Sequence, residues 1–172
     1  MFCKINKDLS VLRGTITALR CLAILLCFHA PLGWGATSDV PDSVGYVQVS
    51  DILTHYPDFR KNYEEYTPDE KELALMGKIE NRELLVMFGT WCHDSEREIP
   101  ILLKLLDESG VKLEALTLLA VDRNKREPTG KAEQWRLKYT PTIVLKSGEN
   151  ELGRIIEKPK VSLAADLAKM LN

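Results

Sequence analysis

The groups best suited to chemistry lie in one stretch, Phe88-Gly-Thr-Trp-Cys-His-Asp-Ser-Glu-Arg-Glu-Ile-Pro100. Cys92 follows an apolar run and opens a segment of helical period. A thiol at a helix N-terminus meets unpaired N–H groups and the positive end of the helix dipole. Both favour the thiolate, which is the nucleophilic form. Gly89 and Thr90 offer a turn tight enough to expose the sulfur. Ser95, three residues on, can donate its hydroxyl to that thiolate, or it caps the helix with Glu98 as its box partner. His93 is either a surface residue or a cation beside the sulfur, with Asp94 opposing it in sign. Trp91 is expected to be half-buried with one edge toward a substrate groove. Cys92 read as a small buried hydrophobe is the plainer alternative, but its place after Trp91 and at a helix start favours the reactive reading.

These residues need elements to hold them. Glu83–Phe88 reads as a strand buried on both faces, and Asp94 to about Leu106 as a helix ended by Ser109-Gly110. Pro100 lies inside that helix and should kink it, because its ring opposes an earlier carbonyl. Leu113–Val121 is a second buried strand and Ala132–Leu137 a short helix. Pro141–Leu145 and Glu151–Ile156 form a hairpin across Ser147–Asn150, and Val161–Leu171 closes as an amphipathic helix. Upstream, Thr67-Pro-Asp-Glu70 predicts a helix capped by Thr67 and running to Met76, with Gly77 as its stop. Residues 50–66 carry Tyr56, Phe59, Tyr63 and Tyr66 on a helix or an irregular insertion, packing on the domain or facing a partner. Thr37–Gly45 reads as a loose entry segment, and Trp135 as core. The order β-α-β-α-β-β-α calls for a mixed sheet with helices on both faces.

The 172 residues carry 23 Lys+Arg and 25 Asp+Glu, which argues against a general nucleic-acid binder or an acidic disordered tail. Residues 1–36 hold Lys4, Lys7, Arg13 and Arg20 against Asp8, leaving residues 37–172 at −5. The apolar run Cys21–Phe28 follows those bases, and Gly33, Gly35 and Ala36 come after it. That pattern predicts a signal peptide over 1–36, cut after Gly35 or Ala36, with an uncleaved anchor as the alternative. The run is short of the ~20 apolar residues that span a bilayer. A periplasmic or secreted location follows, and membrane association only if the leader stays attached. Three of the four cysteines, Cys3, Cys21 and Cys27, sit in the leader. In an oxidising compartment Cys92 then has no internal disulfide partner.

Trp91-Cys92-x-x-Ser95, Pro100 eight residues beyond the cysteine, and Thr140-Pro141-Thr142 at the start of a strand together resemble the thioredoxin superfamily. The resemblance covers about residues 82–172, with 37–81 as a helical N-terminal addition. It implies a three-layer α/β fold, a central mixed sheet flanked by helices. It also implies that Pro141 is cis and faces Cys92, and that the backbone at Thr140 pairs with bound substrate. Two residues depart from the family pattern. Ser95 replaces the resolving cysteine, and Val86 stands where thioredoxins carry a buried acid that serves it. A two-thiol cycle within one molecule is therefore closed to this chain.

The function this predicts is thiol–disulfide exchange through one nucleophile. Cys92 and Ser95 form the reacting pair, and Trp91, His93, Thr140 and Pro141 contact the substrate. Protein disulfides or glutathione would be the substrate and an external thiol the reductant. The alternative is a binding module on the same scaffold that holds a client without catalysis. A thiol peroxidase is disfavoured, because Leu85–Cys92 lacks the Pro-x-x-x-[Thr/Ser]-x-x-Cys pattern. No cofactor or metal is expected: His55 and His93 lie far apart, and no phosphate loop or paired-ligand spacing occurs.

Overall fold

A computed structural model describes residues 40–171. The expected leader lies outside the described residues.

Five strands form one mixed sheet in the order β1-β3-β2-β4-β5. They are β1 (Gly45–Tyr46), β2 (Glu83–Phe88), β3 (Ala115–Ala120), β4 (Thr142–Ser147) and β5 (Asn150–Ile156). Only β2 and β3 run parallel; β1 lies antiparallel to β3, β4 to β2, and β5 to β4. The helices are α1 (Val49–His55), α2 (Pro57–Glu65), α3 (Glu70–Met76), α4 (His93–Ser109), α5 (Lys131–Gln134) and α6 (Leu163–Lys169).

The central strand β2 shows why the sheet needs cover on both sides. Its side chains alternate between faces. Leu84, Val86 and Phe88 enter a core shared with Ile52, Phe59, Met76, Ile99, Leu102 and Leu167. Leu85 and Met87 enter a smaller cluster with Leu119, Val121, Ala132 and Val144, against which Trp135 and Leu137 pack. The first face is thus covered by α1–α4 and α6, and the second by α5 and the segment after it. Fully burying one such side chain contributes about 1.5–3 kcal/mol, and fifteen Phe, Met, Ile and Leu side chains are under 2% exposed.

Several elements differ from the sequence expectation. Residues 50–66 form two helices rather than one, because Tyr56 is extended (φ −113°, ψ 96°) and Pro57 restarts the helix as its first residue. The cap of α3 is Asp69, not Thr67. Asp69 accepts the Glu72 N–H at 2.7 Å, and the Glu72 carboxylate also receives the Tyr66 hydroxyl at 2.7 Å. That bond holds the Glu72 carboxylate at the cap. The entry segment is tied down rather than loose, since Gly45 and Tyr46 pair with Ala120 and Leu119. Arg136 adopts a left-handed φ of 54°, and α5 stops short of it. Ser162 caps α6 by accepting the Ala165 N–H at 3.3 Å, so that helix starts at Leu163.

Pro100 lies inside α4 and leaves a gap in its hydrogen bonds. Pro100 has no N–H, so the carbonyl four residues earlier, on Glu96, loses its helical donor. The Asn62 side-chain amide of α2 supplies the replacement, donating to that oxygen at 2.8 Å. One side chain therefore both satisfies the gap and fastens α2 to α4. Gly110 ends α4 at φ 62°, the left-handed conformation glycine adopts without strain.

Candidate active site around Cys92

Strand β2 ends at Phe88, and the chain turns through Gly89, Thr90 and Trp91 before Cys92 takes the N-cap position of α4. The turn closes with the Cys92 N–H donating to the Gly89 carbonyl at 3.1 Å. The Cys92 carbonyl then accepts the first helical bond, from the Glu96 N–H at 2.9 Å. Cys92 is half-buried and is a free thiol.

Its sulfur points at the loop before β4. Cys92 Sγ donates to the Thr140 carbonyl at 3.2 Å. The Thr140–Pro141 peptide bond is cis, and Thr140 is 5% exposed. The loop is pinned from both ends: Thr142 Oγ1 donates to the Tyr139 carbonyl at 2.7 Å, and the Glu157 N–H donates to the Pro141 carbonyl at 2.8 Å. Thr140 and Pro141, singled out from the sequence, thus come to the cysteine.

Ser95 sits in the third position of α4 and is completely buried. It does not cap the helix, as Cys92 holds the N-cap position. Its hydroxyl accepts the Gly89 N–H at 3.4 Å, which ties the helix to the turn beneath the cysteine. Trp91 is half-buried and donates Nε1–H to the Val121 carbonyl at 2.9 Å. Its ring lies against Gly89, where a Cβ would stand 2.5 Å from Cε2. Glycine is needed there for room. His93 is turned to solvent, its side chain 89% exposed with Nδ1 at 3.3 Å from Glu96. Asp94 pairs with Arg97 at 2.8 Å, and Arg97 also holds Glu98 at 2.7 Å.

Three neighbours of the site turn, Ser43, Arg123 and Lys125, had no sequence signal. Thr90 is 6% exposed and accepts the Ser43 N–H at 3.0 Å. Ser43 in turn pairs with the Tyr56 hydroxyl at 2.7 Å, and that hydroxyl donates to the Pro41 carbonyl at 2.9 Å. The entry segment therefore borders the site turn. Arg123 and Lys125 stand over the Trp91 ring at 5.5 and 6.0 Å, with Arg123 also paired to Asp42 at 3.2 Å. These contacts join parts of the chain far apart in sequence, so no local pattern announces them.

Among the described residues, no group of three His, Cys, Asp or Glu side chains is placed to hold a metal, and no helix is long and apolar enough to cross a membrane. The arrangement offers a half-exposed thiol at a helix start, a buried hydroxyl below it and a fixed carbonyl beside it.

The chain matches no protein-family model and no curated protein. Its backbone is similar to the crystal structure of an HIV epitope scaffold, with a TM-score of 0.53 and 14% identity over 73% of this chain and 92% of that one. It is also similar to the crystal structure of a protein of unknown function from Pseudomonas aeruginosa, with a TM-score of 0.49 and 17% identity over 70% of this chain and 76% of that one. At such identities the scaffold likeness speaks to the mixed α/β fold alone.

Proposed function

We propose that this chain is a thioredoxin-like protein that performs thiol–disulfide exchange through Cys92 as its single nucleophile. The observation that carries the reading is the approach of Cys92 Sγ to the Thr140 carbonyl at 3.2 Å, which puts the residues before Pro141 beside the sulfur. The position of Cys92 at the start of a 17-residue helix after the central strand supports it.

The Cys92 thiol loses its proton to solvent, and the thiolate attacks one sulfur of a disulfide. A Cys92–substrate disulfide forms, and the other substrate sulfur leaves as a thiolate. Ser95 has no sulfur with which to expel the substrate. An external thiol such as glutathione therefore attacks the substrate sulfur of the mixed disulfide and releases the Cys92 thiolate. Overall one substrate sulfur leaves as a thiol and the other ends in a new disulfide with the external thiol, so the number of thiols and disulfides is unchanged. Thr140 and Pro141 form the wall along which an extended substrate lies. Trp91 shapes the opposite side, and His93 faces the solvent from which substrate arrives. The proposed setting is periplasmic or secreted, where disulfides persist.

Oxidised glutathione provides the test. The reduced full chain should take up glutathione on Cys92, located by mass spectrometry of the peptide that contains it after acid quench. Added reduced glutathione should remove it, and the Cys92→Ser chain should carry none at that position. A folded wild-type chain that stays unmodified at Cys92 would overturn the catalytic reading and leave a client-holding module.

A further inference from the structure

A groove that shares no residue with the surroundings of Cys92 opens between the end of β5 and α6. It encloses about 550 Å³, with Ile156, Val161 and Met170 as its apolar lining and Lys158, Lys160 and Lys169 around it. Local backbone geometry builds it. Glu157 takes a left-handed φ of 61°, which turns the chain out of the sheet after Ile156. The Lys160 N–H then donates to Asp166 Oδ2 at 2.6 Å, fastening the returning loop to α6. Met170 closes the inner end against Gly153, where a Cβ would come within 2.7 Å of its Cγ.

Two properties of the lining point to a ligand. Ile156 is 44% exposed and Val161 81%, so apolar side chains face water across a concave surface. The charges around them are unbalanced. The Arg154 guanidinium is committed to Glu151, and the Asp166 carboxylate, which accepts the Lys160 N–H, is the one acidic group in the lining. None of Lys158, Lys160 and Lys169 has an ionic partner among the described residues. Three unpaired ammonium groups thus outnumber one carboxylate here, although residues 37–172 carry a net −5. The volume falls within the ~300–1,000 Å³ range of small-molecule sites. An ammonium keeps its charge at the rim while an apolar chain covers the floor, so the complement is one apolar chain with one anionic end.

We propose that the β5–α6 groove binds a single anionic amphiphile of the fatty-carboxylate class. Its chain lies along Ile156, Val161 and Met170, and its head sits among the three lysines. The site is independent of the chemistry at Cys92.

Calorimetric titration of the full chain with laurate, below its micelle concentration, tests this. Saturable one-to-one binding is expected, with dodecyltrimethylammonium, of equal chain length and opposite charge, weaker by about tenfold or more. The Lys158→Glu/Lys160→Glu double variant should lose about tenfold in laurate affinity, and Val161→Asp should also bind laurate more weakly. Both alter exposed positions, and an unchanged circular dichroism spectrum confirms folding; Lys169→Glu serves if either fails it. The Cys92→Ser chain should bind laurate as the wild type does. Equal affinity for the two amphiphiles, no laurate binding at millimolar concentration, or binding only to phosphatidylglycerol–phosphatidylcholine vesicles and not to laurate monomer would each overturn the proposal.

Discussion

Cys92 Sγ and the Thr140 carbonyl oxygen lie 3.2 Å apart, joining the first turn of α4 to the loop before β4 across 48 positions of sequence. In the proposed exchange, a sulfur that has entered a disulfide would donate nothing, leaving the Thr140 carbonyl to accept an N–H from an extended substrate.

Ser95→Cys should convert the site to a two-thiol one. It places a second sulfur one helical turn from Cys92, on the same face. The oxidised variant should hold an internal disulfide, and insulin reduction driven by dithiothreitol should accelerate from a low wild-type baseline. Wild-type chain that already reduces insulin catalytically at the rate of the variant contradicts the single-thiol mechanism.

The Asn62 bond to the Glu96 carbonyl, at 2.8 Å, compensates for the missing N–H of Pro100. Asn62→Ala should cost about 1 kcal/mol in urea unfolding. In a Pro100→Ala background the helix can supply its own donor, and the cost should shrink. Strict additivity of the two substitutions would refute this coupling.

Gly89→Ala should displace the indole beside the cysteine, because the new Cβ would stand 2.5 Å from Trp91 Cε2 and 2.7 Å from Nε1. Losing the bond to the Val121 carbonyl along with the packing should cost about 1–3 kcal/mol. Tryptophan fluorescence should change in parallel. Full wild-type stability in the variant would show that the contact is slack.

How much of this was legible depended on whether an element is held by its own residues or by distant ones. β2 is found at the expected bounds because six consecutive residues suit a doubly covered strand. α4 could be read from its period and from Gly110 at its end. Two-residue β1 has no period at all and exists through its pairing with β3. The cap of α3 fell at Asp69 rather than at the expected Thr67, with the Tyr66 hydroxyl also on the Glu72 carboxylate. In the site, Trp91, Cys92 and Ser95 announced themselves through spacing. Arg123 over Trp91, and Ser43 on Thr90, arise only when the chain folds.

Acid should unfold the protein partly through its paired glutamates. Burial alone would raise the Glu127 carboxyl, but Thr129 and the N–H groups at the start of α5 outweigh it and hold the group below its ordinary value. The side-chain bond from Lys146 lowers Glu83, and that from Arg154 lowers Glu151. A depressed carboxyl contributes stability above its unfolded value, about 4.3, and loses it as pH falls through the lower folded value. The urea midpoint should hold from neutrality to about pH 5 and then fall. Glu127→Gln should be less stable than wild type at pH 7, and the gap should close toward pH 3. A gap of constant size would contradict the assignment.

The central claim, that this fold presents Cys92 as an accessible nucleophile, is tested most directly by its alkylation rate in the native chain. The reference is a peptide of residues 88–100, which carries the same thiol without the fold. With iodoacetamide at neutral pH, native Cys92 should react at least as fast as the peptide, with Cys92→Ser as the blank at that position. Native Cys92 that resists alkylation until urea unfolds the chain would contradict the account.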